Sequence, residues 1–174
     1  VAGTFTNTVR ATSGSISGNA TVNVTTGPAA TITVTPTPVT LATSATQQFA
    51  AVVKDAAGNI LSISPNWSVA AGGGTINPGT GLFTAGTVAG TYTNTATASV
   101  GSINGSATVT VTAGSLATIT VTPNPQGLAI GGTQLFTAVS RDANLNVVPI
   151  TPTWSVVASG GTINSGSGLF TAGI

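Results

Sequence analysis

Apolar and polar residues alternate along most of this chain, and such alternation is the pattern of a β-strand with one buried face. In Ala30–Thr35, for example, Ile32 and Val34 fall on one face and threonines fall on the other. No stretch of the sequence shows apolar residues at the three-to-four-residue spacing of an amphipathic helix. The pattern therefore predicts an all-β protein built from short strands.

Turn-forming residues separate the alternating segments from one another. Pro36 and Pro38 follow the first segment, as expected where an edge strand kinks or moves to another sheet. Asp55–Asn59 combines Asp, Gly and Asn, which favour turns, and residues 101–105 form a hairpin signal. A very short strand is predicted in the glycine-rich stretch before Leu82. The other predicted strands are Ala30–Thr35, Thr46–Lys54, residues 60–69, Leu82–Ala85, Gly90–Val100 and Ser106–Ala113.

The sequence repeats itself once, with a spacing of 87 residues, which is half of the 174-residue chain. The matching pairs include Val1–Thr8 with Val88–Thr95, Ala30–Pro38 with Ala117–Pro125, and Gly81–Gly86 with Gly168–Gly173. This period exceeds the roughly 20–50 residues of a solenoid repeat and approaches the roughly 100 residues of an immunoglobulin-like sandwich. We therefore predict tandem β-sandwich domains of about seven strands, each with its own core.

The order of short motifs within the repeat resembles that of the bacterial immunoglobulin-like domains, particularly group 2. The motifs are VKDAAGN (53–59), WSV (67–69), GTIN (74–77), TGLFTA (80–85), AGTYTNTATA (89–98) and GSATVTV (105–111). The resemblance implies an immunoglobulin-like β-sandwich used in tandem as a surface stalk, an adhesin segment or a spacer. It does not imply a catalytic site.

The positions of the strands within the repeat divide the chain into three predicted parts. These are the last two strands of a preceding domain (1–28), a complete domain (29–115) and the first strands of a following domain (116–174). A two-stranded hairpin is marginally stable alone, and the third part would expose Phe136, Trp154 and Phe170. We therefore expect both end parts to be completed by other strands. Either a longer polypeptide continues through them, or neighbouring copies complete one another's sandwiches end to end.

Charged residues make up only 3% of the chain, compared with about 25% in an average soluble domain. The net charge of +1 offers no basic surface for nucleic acid or an anionic membrane. No apolar run approaches the roughly 20 residues that a membrane-spanning helix needs, so we expect no membrane insertion. Soluble free domains usually keep charged surfaces, so this composition instead suits lateral packing of copies or a coat of glycans.

Cys and His do not occur in the sequence, so neither a thiolate nor an imidazole is available for catalysis or metal binding. The two acidic side chains, Asp55 and Asp142, hold equivalent positions in separate repeats. They are therefore not expected to form the close carboxylate pair of a glycosidase. We predict that the protein is not an enzyme and has no cofactor.

Asp55 and Asn59 have two interpretations. They could belong to a calcium site, but calcium takes 6–8 oxygen ligands, often from several carboxylates, and each repeat contains one acid. The sequence favours the other interpretation, in which Asp55 stabilises a turn beside the solvated cation Lys54.

An isopeptide cross-link between Lys54 and an asparagine is a further possibility in bacterial surface sandwiches. It is disfavoured because Arg141, at the equivalent position of the other repeat, cannot form that bond. We expect Asn7 and Asn94 to point inward and to bond backbone groups within their own domains, since a buried amide needs partners.

Two further sets of residues could bind or carry sugars. Four asparagines fit the N-glycosylation pattern, although none recurs in the other repeat: Asn19, Asn23, Asn66 and Asn104. Four aromatic side chains could stack on carbohydrate: Trp67, Trp154, Tyr92 and Phe83. Their matched positions in the repeats favour a role as core anchors.

These observations favour an extracellular or cell-surface structural protein, in which immunoglobulin-like domains joined end to end form a fibre, stalk or sheath. Its expected partners are neighbouring copies of itself. The alternative is an adhesin or carbohydrate-binding spacer whose binding tip lies outside this segment. Repeats throughout the full-length sequence would favour the fibre, and a distinct terminal domain would favour the adhesin.

Overall fold

A computed structural model describes residues 1–173, and the regular secondary structure in that range consists of β-strands, as predicted. The chain forms two compact units, one from Val1 to Thr112 and the other beginning at Ala113. Within the described residues, no helix has the length and apolarity that crossing a bilayer would require.

The first unit contains an N-terminal hairpin and ten further strand segments. The hairpin consists of β1 (Gly3–Ser13) and β2 (Ile16–Val24). The other strands are β3 (Ala29–Thr35), β4 (Val39–Ala42), β5 (Thr46–Gln48), β6 (Ala50–Asp55), β7 (Ile60–Leu61), β8 (Asn66–Val69), β9 (Gly74–Ile76), β10 (Leu82–Ala85), β11 (Gly90–Val100) and β12 (Ile103–Thr112).

Strands β3 to β12 form two layers, which we call the closed sandwich. One layer contains the sheets β3-β6-β7 and β5-β10-β9, which are joined because only Phe49 separates β5 from β6. The other layer has the order β4-β12-β11-β8, in which β4 runs parallel to β12. The chain moves between layers at Pro36–Pro38, as the sequence predicted. This arrangement is an immunoglobulin-like sandwich, so the predicted fold class is confirmed.

The core of the closed sandwich is built around three aromatic rings. Phe49 lies 6.3 Å from Trp67 and 6.0 Å from Phe83 between ring centroids, the second pair meeting edge to face at 79°. Ile32 and Val34 point into this core from β3, as their alternation predicted. Small and branched residues of β11 and β12 fill the opposite side: Ala96, Ala98, Ala107, Val109 and Val111.

A bulge in β11 overturns one prediction about which residues face inward. Asn94 has a φ of 53°, and the pairing of β11 with β12 shifts register between Tyr92 and Ala96. The simple alternation therefore breaks, so that Asn94 is exposed while Thr95 is fully buried. The Thr95 hydroxyl donates a hydrogen bond to the carbonyl of Gly72, so it has a partner in the core. The inward orientation predicted for Asn94 is wrong.

The second unit contains the counterpart of only one layer. Its strands are β13 (Leu116–Thr122), β14 (Thr133–Leu135), β15 (Thr137–Asp142), β16 (Gly161–Ile163) and β17 (Leu169–Ala172). They form the sheets β13-β15 and β14-β17-β16, which repeat the pairing of β3 with β6 and of β5 with β10 and β9. The domain limits predicted from the sequence, 29–115 and 116–174, stay predictions.

Candidate functional site

The turn between β6 and β7 is organised by the carboxylate of Asp55. Its Oδ1 accepts hydrogen bonds from the backbone N–H groups of Ala57 at 3.0 Å and Asn59 at 2.8 Å. Its backbone carbonyl also accepts from Gly58 N–H at 3.0 Å, and its own N–H donates to the carbonyl of Asn59. The turn role predicted for Asp55 is therefore confirmed.

The second carboxylate oxygen connects this turn to the chain that precedes the closed sandwich. Asp55 Oδ2 accepts from Gly27 N–H at 2.9 Å and from the side-chain amide of Asn59 at 2.8 Å. The side-chain amide of Asn59, followed by the N–H of Gly27, lowers the pKa of Asp55 to about 2. Because four N–H donors point at this carboxylate, a calcium ion would meet their positive ends, and the geometry therefore disfavours the calcium interpretation.

Asn59 extends the connection to the N-terminal hairpin. Its Oδ1 accepts from the N–H of Ala2 at 3.1 Å, while its amide nitrogen donates to Asp55. Asp55 and Asn59 thus link the turn, the connecting segment at Gly27 and the start of β1, and we call this group the joint. Sequence reasoning placed Asp55 and Asn59 in a turn but missed this linking role. The signal available was an Asp and an Asn four residues apart in both repeats.

The same carboxylate arrangement recurs in the second unit. Asp142 accepts from the backbone N–H groups of Gly114 at 2.8 Å, Asn144 at 2.9 Å and Asn146 at 2.8 Å, and from the Asn146 side chain at 2.8 Å. The Asn146 amide is the main cause that lowers the pKa of Asp142. Both acidic side chains of the protein are therefore buried and committed to connecting segments.

The isopeptide candidates are not brought together. Lys54 lies exposed on β6, in one layer of the closed sandwich, and Asn94 lies exposed on β11, in the other layer. The side-chain oxygen of Asn94 accepts from the Ser106 hydroxyl at 3.1 Å, so its side-chain partner is a hydroxyl rather than the expected backbone group.

The candidate glycosylation sites all lie on exposed strand positions. Asn19 and Asn23 belong to β2, Asn66 to β8 and Asn104 to β12. Their glycosylation stays a prediction. Among the residues that the structure describes, no three His, Cys, Asp or Glu side chains come together to hold a metal ion.

The aromatic candidates divide between the two units. Trp67 and Phe83 are buried core anchors, as predicted, and Tyr92 is partly buried with its hydroxyl donating to the Val88 carbonyl at 3.0 Å. Trp154 is only partly buried and lines a cleft of about 410 Å³ in the second unit.

This cleft marks an incompletely covered apolar surface, which we call the open face. Its apolar lining includes Val121, Phe136, Trp154, Ile163 and Phe170. Phe136 and Phe170 meet edge to face at 6.2 Å and 82°, which nearly reproduces the geometry of the equivalent ring pair in the closed sandwich. The open face therefore has the internal organisation of a sandwich core without the second layer.

Solved structures that resemble this chain include two kinds of bacterial protein. Domains 4–9 of the surface layer protein SbsC match 98% of this chain and 30% of that one, with 22% identity and a TM-score of 0.44. The Escherichia coli adhesin FdeC matches 89% of this chain and 60% of that one, with 19% identity and a TM-score of 0.47. The chain spans less than two thirds of both. No protein-family model and no curated protein matches the sequence.

Proposed function

We propose that this chain is a structural repeat segment of an extracellular or cell-surface protein, without catalytic activity. Immunoglobulin-like sandwiches follow one another end to end in it and form a stalk, fibre or sheath. The observation that carries this proposal is the joint, which fastens the N-terminal hairpin and its connecting segment to the closed sandwich.

The joint supports a mechanical role because of what it restrains. Gly27 lies between β2 and β3, so its hydrogen bond to Asp55 fixes the connecting segment against the turn. Ala2 lies just before β1, so its hydrogen bond to Asn59 fixes a second point of the hairpin. A connection that is held at two points allows less rotation of the hairpin than a connection that is held at one point. A connection held in this way suits a stiff rod better than a flexible tether.

The distribution of polar chemistry agrees with this role. The acidic side chains are occupied by N–H donors in the connecting regions. The cationic side chains are all exposed: Arg10, Lys54 and Arg141. Arg10 donates a hydrogen bond to the Ser17 hydroxyl, and Arg141 donates one to the Leu145 carbonyl. The nearly uncharged surface also suits lateral contact between rods or a coat of glycans, because little charge repulsion opposes either.

Immunogold electron microscopy of the cells that produce the protein tests the proposal, using an antibody raised against the closed sandwich. We expect gold particles along surface filaments or across a continuous coat. Label confined to a short stalk below a distinct tip would support the adhesin spacer instead. Label inside the cells would refute the proposal.

A further inference from the structure

The chain enters the closed sandwich at one end and leaves it at the other. The first strand, β3, runs antiparallel to β6, and β5 continues into β6 with only one residue between them. β4 turns back into β5 at residues 42–45, so β3 and β4 both run in the direction opposite to β6. The last strand, β12, runs parallel to β4. The start of β3 and the end of β12 therefore lie at opposite ends of the sandwich.

This path of the chain determines how tension acts on the pair β4 and β12. Among the strands of the described residues, these two form the one parallel pair. A pull on the entering chain and an opposite pull on the leaving chain draw β4 and β12 past each other along their length. The bonds of a parallel pair are evenly spaced along the strands, so such sliding loads all of them together. Strands that are peeled apart from one end lose their bonds one at a time instead.

Further hydrogen bonds extend the contact beyond both ends of the paired strands. Before the pair, the N–H of Thr108 donates to the side-chain oxygen of Thr37 at 3.1 Å. After it, the N–H of Thr43 donates to the carbonyl of Thr112 at 3.2 Å. The Thr112 hydroxyl donates in turn to the carbonyl of Leu41 at 3.3 Å. We call these two segments, residues 37–43 and 108–112, the clamp.

One side of the clamp is sheltered by the core. Val39 pairs with Val109, and Leu41 pairs with Val111. Both β12 residues are buried, and both β4 residues are partly buried against the core. A hydrogen bond that is shielded from water is electrostatically stronger than an exposed one. Water can therefore replace the bonds of the clamp from the outer side only.

The clamp has to break whichever end of the sandwich yields first. From the entering side, β3 separates from β6, and β4 then remains held by β12. From the leaving side, β12 separates from β4 and β11 together. We propose that the closed sandwich is a tension-bearing module and that the clamp sets the force at which it opens. This inference rests on the proposed function, in which a stalk, fibre or sheath supplies the tension.

The test pulls the 174-residue chain at constant force between handles attached to its two ends. Opening of the closed sandwich is recognised by the length that it releases. Ala29–Thr112 correspond to about 280–300 Å of extended chain, less the distance between the ends of the folded sandwich. The quantity compared among variants is the rate of this opening at one chosen force, because forced unfolding is governed by the unfolding rate.

Thr43→Pro removes one hydrogen bond of the clamp and leaves its turn intact. The N–H of Ala45 donates to the carbonyl of Ala42 at 3.1 Å, and Ser44 has a φ of 64°. These are the features of a type II turn, in which proline is common at the position of Thr43. Loss of the Thr43 N–H should raise the opening rate about two- to tenfold, as expected for one hydrogen bond.

The matched control is Ile130→Pro, at the equivalent position of the second unit. The same turn is present there, since Gly131 has a φ of 71° and the N–H of Gly132 donates to the carbonyl of Ala129 at 2.9 Å. The described strands of the second unit include no equivalent of β12. Ile130→Pro should therefore leave the opening rate of the closed sandwich unchanged.

Phe83→Leu separates the clamp from the general stability of the sandwich. Phe83 lies in the core on β10, outside the clamp, and stays packed when β4 first leaves β12. It should lower the midpoint of urea unfolding more than Thr43→Pro does, because proline also restricts the unfolded chain. It should nevertheless raise the opening rate less than Thr43→Pro does.

The direction of pulling gives a second test, because the chain has no cysteine of its own. Handles on Ala42→Cys and Ala113→Cys hold β4 and β12 at the same end, since the two strands are parallel. Tension between these handles peels the strands apart instead of sliding them. The closed sandwich should then open at a lower force than when the chain is pulled from its two ends.

Equal opening forces in the two directions would overturn the inference. So would equal effects of Thr43→Pro and Ile130→Pro on the opening rate, or a larger effect of Phe83→Leu than of Thr43→Pro. If the direction of pulling has no effect while the antibody labels surface filaments, the clamp is wrong and the proposed function stands. If the direction matters while the antibody labels only the cell interior, the clamp stands and the proposed function fails.

Discussion

Removal of one phenylalanine ring from each unit measures what the second layer contributes to the core. Phe83 and Phe170 occupy the same position of the identical sequence GLFTAG. Each meets a neighbouring phenylalanine edge to face at about the same distance, 6.0 Å for Phe83 and 6.2 Å for Phe170. Each ring also lies at the same 2.6 Å from the Cβ position of the adjacent glycine, Gly74 or Gly161. Phe83 is fully buried and Phe170 is only partly buried.

The magnitudes follow from these contacts. Phe83→Ala removes a fully buried ring, which typically costs about 3–5 kcal/mol of unfolding free energy. The edge-to-face pair accounts for about 0.5–1.5 kcal/mol of this, and that part is common to both units. Phe170→Ala lacks the burial that the second layer provides, so its loss should be roughly half as large or smaller.

Tryptophan fluorescence during urea unfolding can report each unit separately, because the chain has two tryptophans, Trp67 in the closed sandwich and Trp154 at the open face. The Trp154→Phe background isolates the first signal, and the Trp67→Phe background isolates the second. The measurements are made in dilute solution, where association is least. We also expect the emission of Trp154 to lie at a longer wavelength than that of Trp67.

Equal losses for Phe83→Ala and Phe170→Ala would refute the reasoning. Equal losses would mean that the ring pair and its glycine contact determine the free energy lost on removing the ring. The cover by β11 and β12 would then add little to the stability of the core. A larger loss for Phe170→Ala would refute it more strongly.

Three further predictions concern the joint and the packing of β12. The pKa of Asp55 is lowered in the folded protein, so the stability that its carboxylate provides is complete above the ordinary pKa of 3.8 and is lost as the pH falls through about 2. The midpoint of urea unfolding should therefore be steady near pH 5 and fall toward pH 2. A midpoint that does not change with pH would contradict this. Asn59→Ala should raise the pKa of Asp55 toward 3.8, measured from the carboxyl-carbon NMR shift, and an unchanged pKa would show that the amide has little influence. Gly105→Ala should destabilise the closed sandwich by about 1–3 kcal/mol in urea unfolding, because the added Cβ overlaps a backbone oxygen. Gly18→Ala in the free hairpin should be nearly neutral, because no atom lies near its Cβ position. Similar losses of stability for the two variants would contradict the close packing at Gly105.

Much of the fold can be predicted from local sequence. Alternation places Ile32 and Val34 in the core, because a strand turns successive side chains to opposite faces. The same rule fails at Asn94, where a positive φ and a bulge bring Thr95 inward. Alternation assumes one regular backbone conformation, so it cannot indicate where that conformation is interrupted.

The joint could be predicted only in part. The turn chemistry of Asp55 and Asn59 is local and visible in the sequence, since donors and acceptor lie within four residues of each other. The partners that make the joint a connection, Gly27 and Ala2, lie 28 and 57 residues away along the chain. Folding brings them together, and no local pattern marks them.

The repeat by itself determined that the second unit reuses the aromatic core residues and the carboxylate turn of the first. The strand positions within the repeat also predicted that Phe136, Trp154 and Phe170 would be exposed, and only the tertiary structure decided how far each copy of the core is buried. GLFTAG contains a fully buried ring at Phe83 and a partly buried ring at Phe170, although the letters are the same. Burial depends on what packs against a residue. The hairpin that buries Phe83 belongs to the same sandwich, and within the second unit no such hairpin lies over the described residues.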